Sequence, residues 1–438
     1  MHMKLKHLFL LALMVALATN LSRAENYPYR SDVLWVTVPD HDDWLYQTGQ
    51  QARVEVEFYK YGIPRDATVA YELAPDMLAP TRKGEVRLRH GRATINMGTM
   101  REPGFLDCRM TATVDGTKYT HHVKVGFSVD RLEPYTKMPD DFDEFWRKNV
   151  DENRKTPLDY TMRKVEKYSD DEIDCYLVKM RVDREGHSVY AYLTRPKAPG
   201  SYPAVLCPPG AGIKTIREPM KRTYYARNGF IRMEMEIHGL NPEMTDEQFD
   251  EISKAFNTKA NSYLNFNLDN RDNYYMKHVY LACSKAVDLL ASLPDWDGRN
   301  MAVQGGSQGG ALSIVTAALN PKVTLCVANH PALSDMARYA AGKTGGYPHY
   351  NRTTGMLTKE KIKTMAYYDV VNFARRMTCP VYMTWGYNDA TCPPTTSYIV
   401  WNVIKSPKEC LLTPINEHWT SDQTDYDQMV YIKKHLEK

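Results

Sequence analysis

Met301-Ala302-Val303-Gln304-Gly305-Gly306-Ser307-Gln308-Gly309-Gly310 is the stretch that decides the fold. Its first four residues read as a short apolar strand, and residues 310–319 read as a helix of small and apolar side chains. Between them, Gly305-Gly306-Ser307-Gln308-Gly309 is a G-x-S-x-G turn. A strand that enters a helix this abruptly needs backbone angles that Cβ atoms normally forbid, and the flanking glycines relieve the crowding. The serine hydroxyl is then raised above the sheet, close to a helix N-terminus.

Outward from this turn, strand-like runs at 189–194, 204–207, 230–235, 301–304, 323–328, 381–385 and 410–413 alternate with helical stretches. The longest helical stretch, 273–293, carries Met276, Val279, Tyr280, Cys283, Val287 and Leu290 at helical spacing. This βαβα order predicts a doubly wound, mostly parallel sheet with helices on both faces. In such sheets functional groups gather beyond the carboxyl ends of the strands.

A serine hydroxyl attacks only when a base accepts its proton, so a histidine is required. His330, His349, His418 and His435 follow Ser307. His435 falls in the terminal helix and His349 in a Gly/Tyr-rich loop. His418 follows the last strand-like run and precedes the final helix, so it is the expected base. His330 follows the strand at 323–328, and its role is open between lining the pocket and purely structural. Asp335 and Asp369 read as helix-start residues. Asp389 comes just after the strand at 381–385, where a carboxylate can fix the imidazole tautomer and stabilise the imidazolium. Serine, acid, histidine is the chain order of the α/β-hydrolase fold. An acyl-transfer site also needs N–H donors for a developing oxyanion. The amides of Gln308 and of Ala211, in the loop 208–212, are the expected donors.

The first part of the chain reads differently. Short β-favouring runs at 33–38, 52–59, 67–73, 92–97, 105–114 and 118–129 are separated by breakers such as Glu102-Pro103-Gly104 and Asp115-Gly116. Strict alternation in Arg53-Val54-Glu55-Val56-Glu57-Phe58 puts every second side chain toward a core. The expectation is an immunoglobulin-like β-sandwich over residues 25–130, followed by the catalytic domain over 131–438.

Of the 438 residues, 43% are hydrophobic and 25% charged, which excludes disordered and fibrous classes. Lys4, Lys6 and Arg23 lie in the first 24 residues, which hold no acidic residue; without them the basic and acidic counts are both 53. So balanced a chain has no electrostatic footprint for nucleic acid or an anionic membrane. Residues 1–24 read as a secretory signal, with a basic start, an apolar run at 8–18 and small residues at Ser22 and Ala24. The expected location is therefore periplasmic or extracellular, and no later apolar run approaches membrane length. Eight cysteines in so long a chain are not a disulfide scaffold, and the sequence specifies no pairing. Cys207, Cys326 and Cys410 sit in apolar strand-like runs, where a thiol behaves as a small hydrophobe. Neither CxxC nor HExxH occurs, and no metal or cofactor is expected.

From about Leu132 onward the chain resembles the acetyl xylan esterase and cephalosporin-C deacetylase family, carbohydrate esterase family 7. The resemblance lies in Pro139-Asp140-Asp141-Phe142-Asp143-Glu144-Phe145-Trp146, the Tyr274-Tyr275 helix, the Ser307 motif, Asn372-Phe373-Ala374-Arg375-Arg376 and Asp389-Ala390-Thr391-Cys392-Pro393-Pro394. It implies a triad of Ser307, Asp389 and His418 and deacetylation of acetylated sugars. Three family segments differ here. Arg-Gly-Gln reads His238-Gly239-Leu240, His-Gly-Tyr reads Pro209-Gly210-Ala211, and Gly-His-Glu reads Glu417-His418-Trp419. The same triad can cleave amides or other esters, so a peptidase or another carboxylesterase on the same fold is an alternative. The altered segments also leave room for a carbohydrate-binding protein with weakened catalysis. Oligomeric state stays open.

Overall fold

The computed structural model describes residues 32–256 and 262–436, so the secretory signal expected at 1–24 lies outside the described residues. In the N-terminal region the strands are β1 (Val33–Pro39), β2 (Leu45–Tyr46), β3 (Ala52–Lys60), β4 (Ile63–Pro64), β5 (Thr68–Pro75), β6 (Arg82–Arg87), β7 (Arg92–Gly98), β8 (Gly104–Val114) and β9 (Thr117–Phe127). They form two sheets. In one, β3 pairs antiparallel with β1, β4 and β7; the other has the order β2-β9-β8-β5-β6. Ala52, Val54, Val56 and Phe58 of β3 are fully buried, as the alternation predicts. They join Val69, Leu73, Cys108, Met110, Val123 and Val125 of the second sheet in one core.

The rest of the chain builds a nine-stranded sheet from β10 (Tyr160–Lys164), β11 (Ile173–Arg181), β12 (Ser188–Pro196), β13 (Tyr202–Cys207), β14 (Ile231–Met235), β15 (Trp296–Gly306), β16 (Leu325–Asn329), β17 (Val381–Trp385) and β18 (Lys408–Leu412). Their order is β10-β11-β12-β14-β13-β15-β16-β17-β18, antiparallel from β10 to β14 and parallel from β14 to β18. Every residue of β16 is buried, as a central parallel strand covered on both faces requires. Helices Met276–Leu290 and Gln308–Leu319 are buried along most of their length. From β13 the chain crosses to β14 on one side and returns to β15 on the other. Beyond the carboxyl ends of β13 and β15 this reversal opens a crevice.

All eight cysteines are free thiols. Cys207 and Cys326 are buried as expected, but Cys410 is exposed, because β18 is the sheet's last strand. Among the described residues no helix is long and apolar enough to cross a membrane.

Candidate active site

Ser307 stands between the end of β15 and the helix Gln308–Leu319, at φ 60° and ψ −123°. A side-chain-bearing residue at such angles stores about 1–3 kcal/mol, which the surroundings must hold in place. They do so through the main chain. The Ser307 N–H donates to the Asn329 carbonyl at 3.0 Å, and its carbonyl accepts from the N–H groups of Ala311 and Ala332, each at 3.0 Å. The neighbouring glycines are needed for close approach. A Cβ on Gly305 would lie 2.5 Å from the Gly309 carbonyl carbon, and one on Gly309 would lie 2.6 Å from the Pro208 oxygen.

His418 and Asp389 meet this serine. His418 Nε2 is 3.0 Å from Ser307 Oγ, and His418 Nδ1 is 2.8 Å from Asp389 Oδ2. Facing a carboxylate, Nδ1 carries the ring proton, which leaves Nε2 to accept from the serine hydroxyl. Asp389 is fully buried, and its Oδ1 accepts the N–H groups of Thr391 at 2.7 Å and Cys392 at 2.9 Å. The loops carrying the acid and the imidazole run together. Tyr387 N–H donates to the Pro414 carbonyl and Asn388 N–H to that of Asn416, both at 3.2 Å. A further imidazole completes one wall: the ring of His330 is centred 4.5 Å from that of His418. Burial lowers the His330 pKa to about 4, so it is neutral at physiological pH. Asp335 and Asp369 lie elsewhere. Asp369 caps the helix Val370–Ala374 and accepts the N–H groups of Asp335 and Met336.

Ser307, His330 and His418 open into a cleft of about 620 Å³ whose walls include Pro209, Gly210, Lys214, Glu234 and Trp419. Gly210 lines this cleft; Ala211, the next residue, does not. The loop 208–212 is tied to the helix Gln308–Leu319 by a residue that the sequence did not single out. Tyr263 donates its hydroxyl proton to Gln308 Oε1 at 2.7 Å and accepts the Gly212 N–H at 3.1 Å. His238, which stands where the family has arginine, supports the same loop. Its Nε2 is 3.3 Å from the Gly212 carbonyl, and its Nδ1 is 2.7 Å from the Tyr275 hydroxyl. Those partners fix the tautomer with Nε2–H donating and Nδ1 accepting. Burial holds the His238 pKa at about 4.

Two groups of described residues bring metal-ligating atoms within 4.8 Å of one another: His330 with Asp389 and His418, and Asp183 with Glu185 and His187. In the first, Asp389 Oδ2 and His418 Nδ1 already engage each other. The second is largely exposed and borders a separate cleft of about 980 Å³ that touches none of Ser307, Asp389 and His418.

The sheet order and a site at its reversal point define an α/β-hydrolase. The chain belongs to the acetyl xylan esterase (AXE1) family, which matches residues 126–436, and is thus a carboxylic-ester hydrolase. It is 66% identical over 413 residues to acetyl esterase Axe7A of Xylanibacter ruminicola, covering 94% of this chain and 93% of that one. Among solved structures, it is similar to an acetyl xylan esterase from Paenibacillus sp. R4, with TM-score 0.61, 24% identity and coverage of 70% of this chain and 98% of that one. Acetyl xylan esterase 1 from Thermoanaerobacterium sp. JW/SL YS485 is similar with TM-score 0.60, 25% identity and coverage of 70% and 97%.

Proposed function

We propose that the protein is an exported serine esterase that removes acetyl groups from acetylated sugars or xylan-type oligosaccharides. The observation that carries this reading is the continuous line Asp389–His418–Ser307, with contacts of 2.8 and 3.0 Å. Ser307 Oγ attacks the ester carbonyl while His418 Nε2 takes its proton, and Asp389 stabilises the imidazolium that forms. The Gln308 amide opens a helix, where the first N–H groups lack intrahelical acceptors, so it is suited to hold the oxyanion. The Ala211 amide is the second donor of this mechanism, next to the Gly210 that walls the cleft. His418 then protonates the leaving hydroxyl, and afterwards activates water to release acetate.

Two features favour a sugar as the leaving group. Trp419 lines the cleft beside His418 and is 51% exposed, which leaves an aromatic face for a pyranose ring. The remaining walls are rich in charged and polar groups such as Lys214, Glu234 and Glu236, fit for hydroxyl-rich substrates. The similar proteins are an acetyl esterase and an acetyl xylan esterase, which supports acetate as the acyl group. The two N-terminal sheets are read as an immunoglobulin-like domain over 25–130, preceding a catalytic domain over 131–438.

The test compares wild type with Ser307→Ala on p-nitrophenyl acetate and on acetylated xylooligosaccharides. The expected loss in kcat is on the order of 10⁴–10⁶. A Ser307→Ala enzyme that keeps more than about a tenth of the activity would refute the nucleophile assignment. A folded wild type inactive on both substrates would favour the binding-protein alternative.

A further inference from the structure

β9 is buried on both faces toward its C-terminal end, although only one face belongs to the N-terminal core. The other face carries Lys124, whose side chain is fully buried. Its ammonium lies 2.9 Å from the carboxylate of Asp76, itself 1% exposed. The same ammonium donates to the main-chain carbonyl of Asp389 at 2.6 Å, and the Lys124 N–H donates to Asn388 Oδ1 at 2.9 Å. Asp76 grips the other end of this segment. Its Oδ2 accepts the Thr395 hydroxyl at 2.7 Å, in the first turn of the helix Pro394–Val403. One buried ion pair from the N-terminal region therefore holds residues 389 and 395 together.

Buried ion pairs are a poor route to stability. Desolvation costs several kcal/mol per ion, and apolar residues of similar volume are often at least as stable. What an apolar pair cannot provide is a donor to the Asp389 carbonyl. Asp389 Oδ1 is bound only by amides of its own loop, Thr391 and Cys392, so these contacts orient the carboxylate within the loop without fixing the loop in space. We propose that Lys124 is a positioning residue of the catalytic site, fixing through the Asp389 carbonyl the loop that aims this carboxylate at His418. On this view the N-terminal β region is part of the catalytic apparatus, and the proposal rests on the triad reading above.

The experiment is a double-mutant cycle on the full chain: wild type, Lys124→Met, Asp389→Asn and the double variant. It measures kcat and KM on p-nitrophenyl acetate, well below each variant's unfolding temperature. Asp389→Asn is expected to lower kcat by about 10⁴. Lys124→Met is expected to lower kcat by about 10–100-fold, the scale of a misplacement near 1 Å. KM should stay within about threefold, because substrate contacts are untouched. In the Asp389→Asn background, Lys124→Met should cost less than about twofold, as two changes acting through one group do not add. Wild-type kcat in Lys124→Met, or a full multiplicative loss in the double variant, would overturn the proposal. Asp389→Asn with near-wild-type kcat would refute the triad reading itself, and the proposal with it. Should Lys124→Met not fold, the pair Lys124→Met with Asp76→Leu, which leaves no buried charge unpaired, takes its place in the cycle, and the same outcomes decide.

Discussion

Ser307 and Asp389 sit at opposite ends of one hydrogen-bonded line, yet they are held by opposite means. Ser307 is fixed by its own neighbourhood: a strained turn, close-packed glycines and main-chain bonds to β16 and the segment after it. Asp389 is fixed from afar. Its carbonyl is bound by a residue 265 positions earlier in the chain, and Thr391 in its loop gives its carbonyl to His349 Nε2 at 3.0 Å. A serine held locally is robust to changes in distant elements, whereas a carboxylate held by distant elements transmits those changes to the imidazole.

That contrast can be broken at the serine's end. Gly309→Ala drives a Cβ into the Pro208 carbonyl at 2.6 Å, so either the Ser307 turn or the loop 208–210 must shift. A kcat loss of about 10²-fold is expected, with about 1–3 kcal/mol of destabilisation from overpacking. Steady-state kinetics with thermal unfolding checks both; a near-wild-type enzyme would show the turn to be more compliant than its contacts imply. Tyr263→Phe sharpens the comparison more gently. It deletes the hydroxyl joining Gly212 N–H to Gln308 Oε1, so it should lower kcat about tenfold and stability by about 1 kcal/mol. KM for p-nitrophenyl acetate should barely change.

The smallest effect concerns pH and both ends together. His238 holds the Gly212 carbonyl and His349 the Thr391 carbonyl, each as a neutral ring accepting from a tyrosine, Tyr275 or Tyr339. Burial lowers the pKa of both to about 4, as it does for His121, His278 and His330. Depressed folded-state values mean the stability is fully present above the unfolded value of 6.5 and is lost as pH falls toward about 4. Glu236, Asp369 and Asp76 act oppositely. Burial raises Glu236 to about 7; burial together with the nearby Asp335 raises Asp369, and burial raises Asp76, so the contribution of all three is full at low pH and lost as pH rises. With five histidines against three carboxyls, the unfolding midpoint should be lower at pH 5 than at pH 7 by about 2–5 °C, measurable by calorimetry. An unchanged or higher midpoint at pH 5 would show that the carboxyls dominate.

What the sequence made legible follows the same division. The G-x-S-x-G turn, the parallel strands from β13 to β18 and the order of Ser307, Asp389 and His418 were readable because each is a local pattern or a matter of chain order. β6, Arg82-Lys83-Gly84-Glu85-Val86-Arg87, went unread because an edge strand of charged residues lacks apolar alternation. β10 and β11 lie outside the parallel βαβ pattern that guided the reading, and β10 is again an edge strand. Tyr263 and Lys124 carry no motif: one tyrosine among 30 and one lysine in a strand gain meaning only from what folding places beside them. Cys410 was misjudged because sequence does not tell a central strand from an outermost one.

That exposed sulfur has a practical side. Seven of the eight thiols are buried, so a maleimide dye should attach at Cys410 alone, on the strand leading directly into the loop that carries His418. Partial burial raises the Cys410 pKa, so mildly alkaline labelling will be needed. A fluorophore there would report on movements of the imidazole's own tether during turnover, without an engineered cysteine.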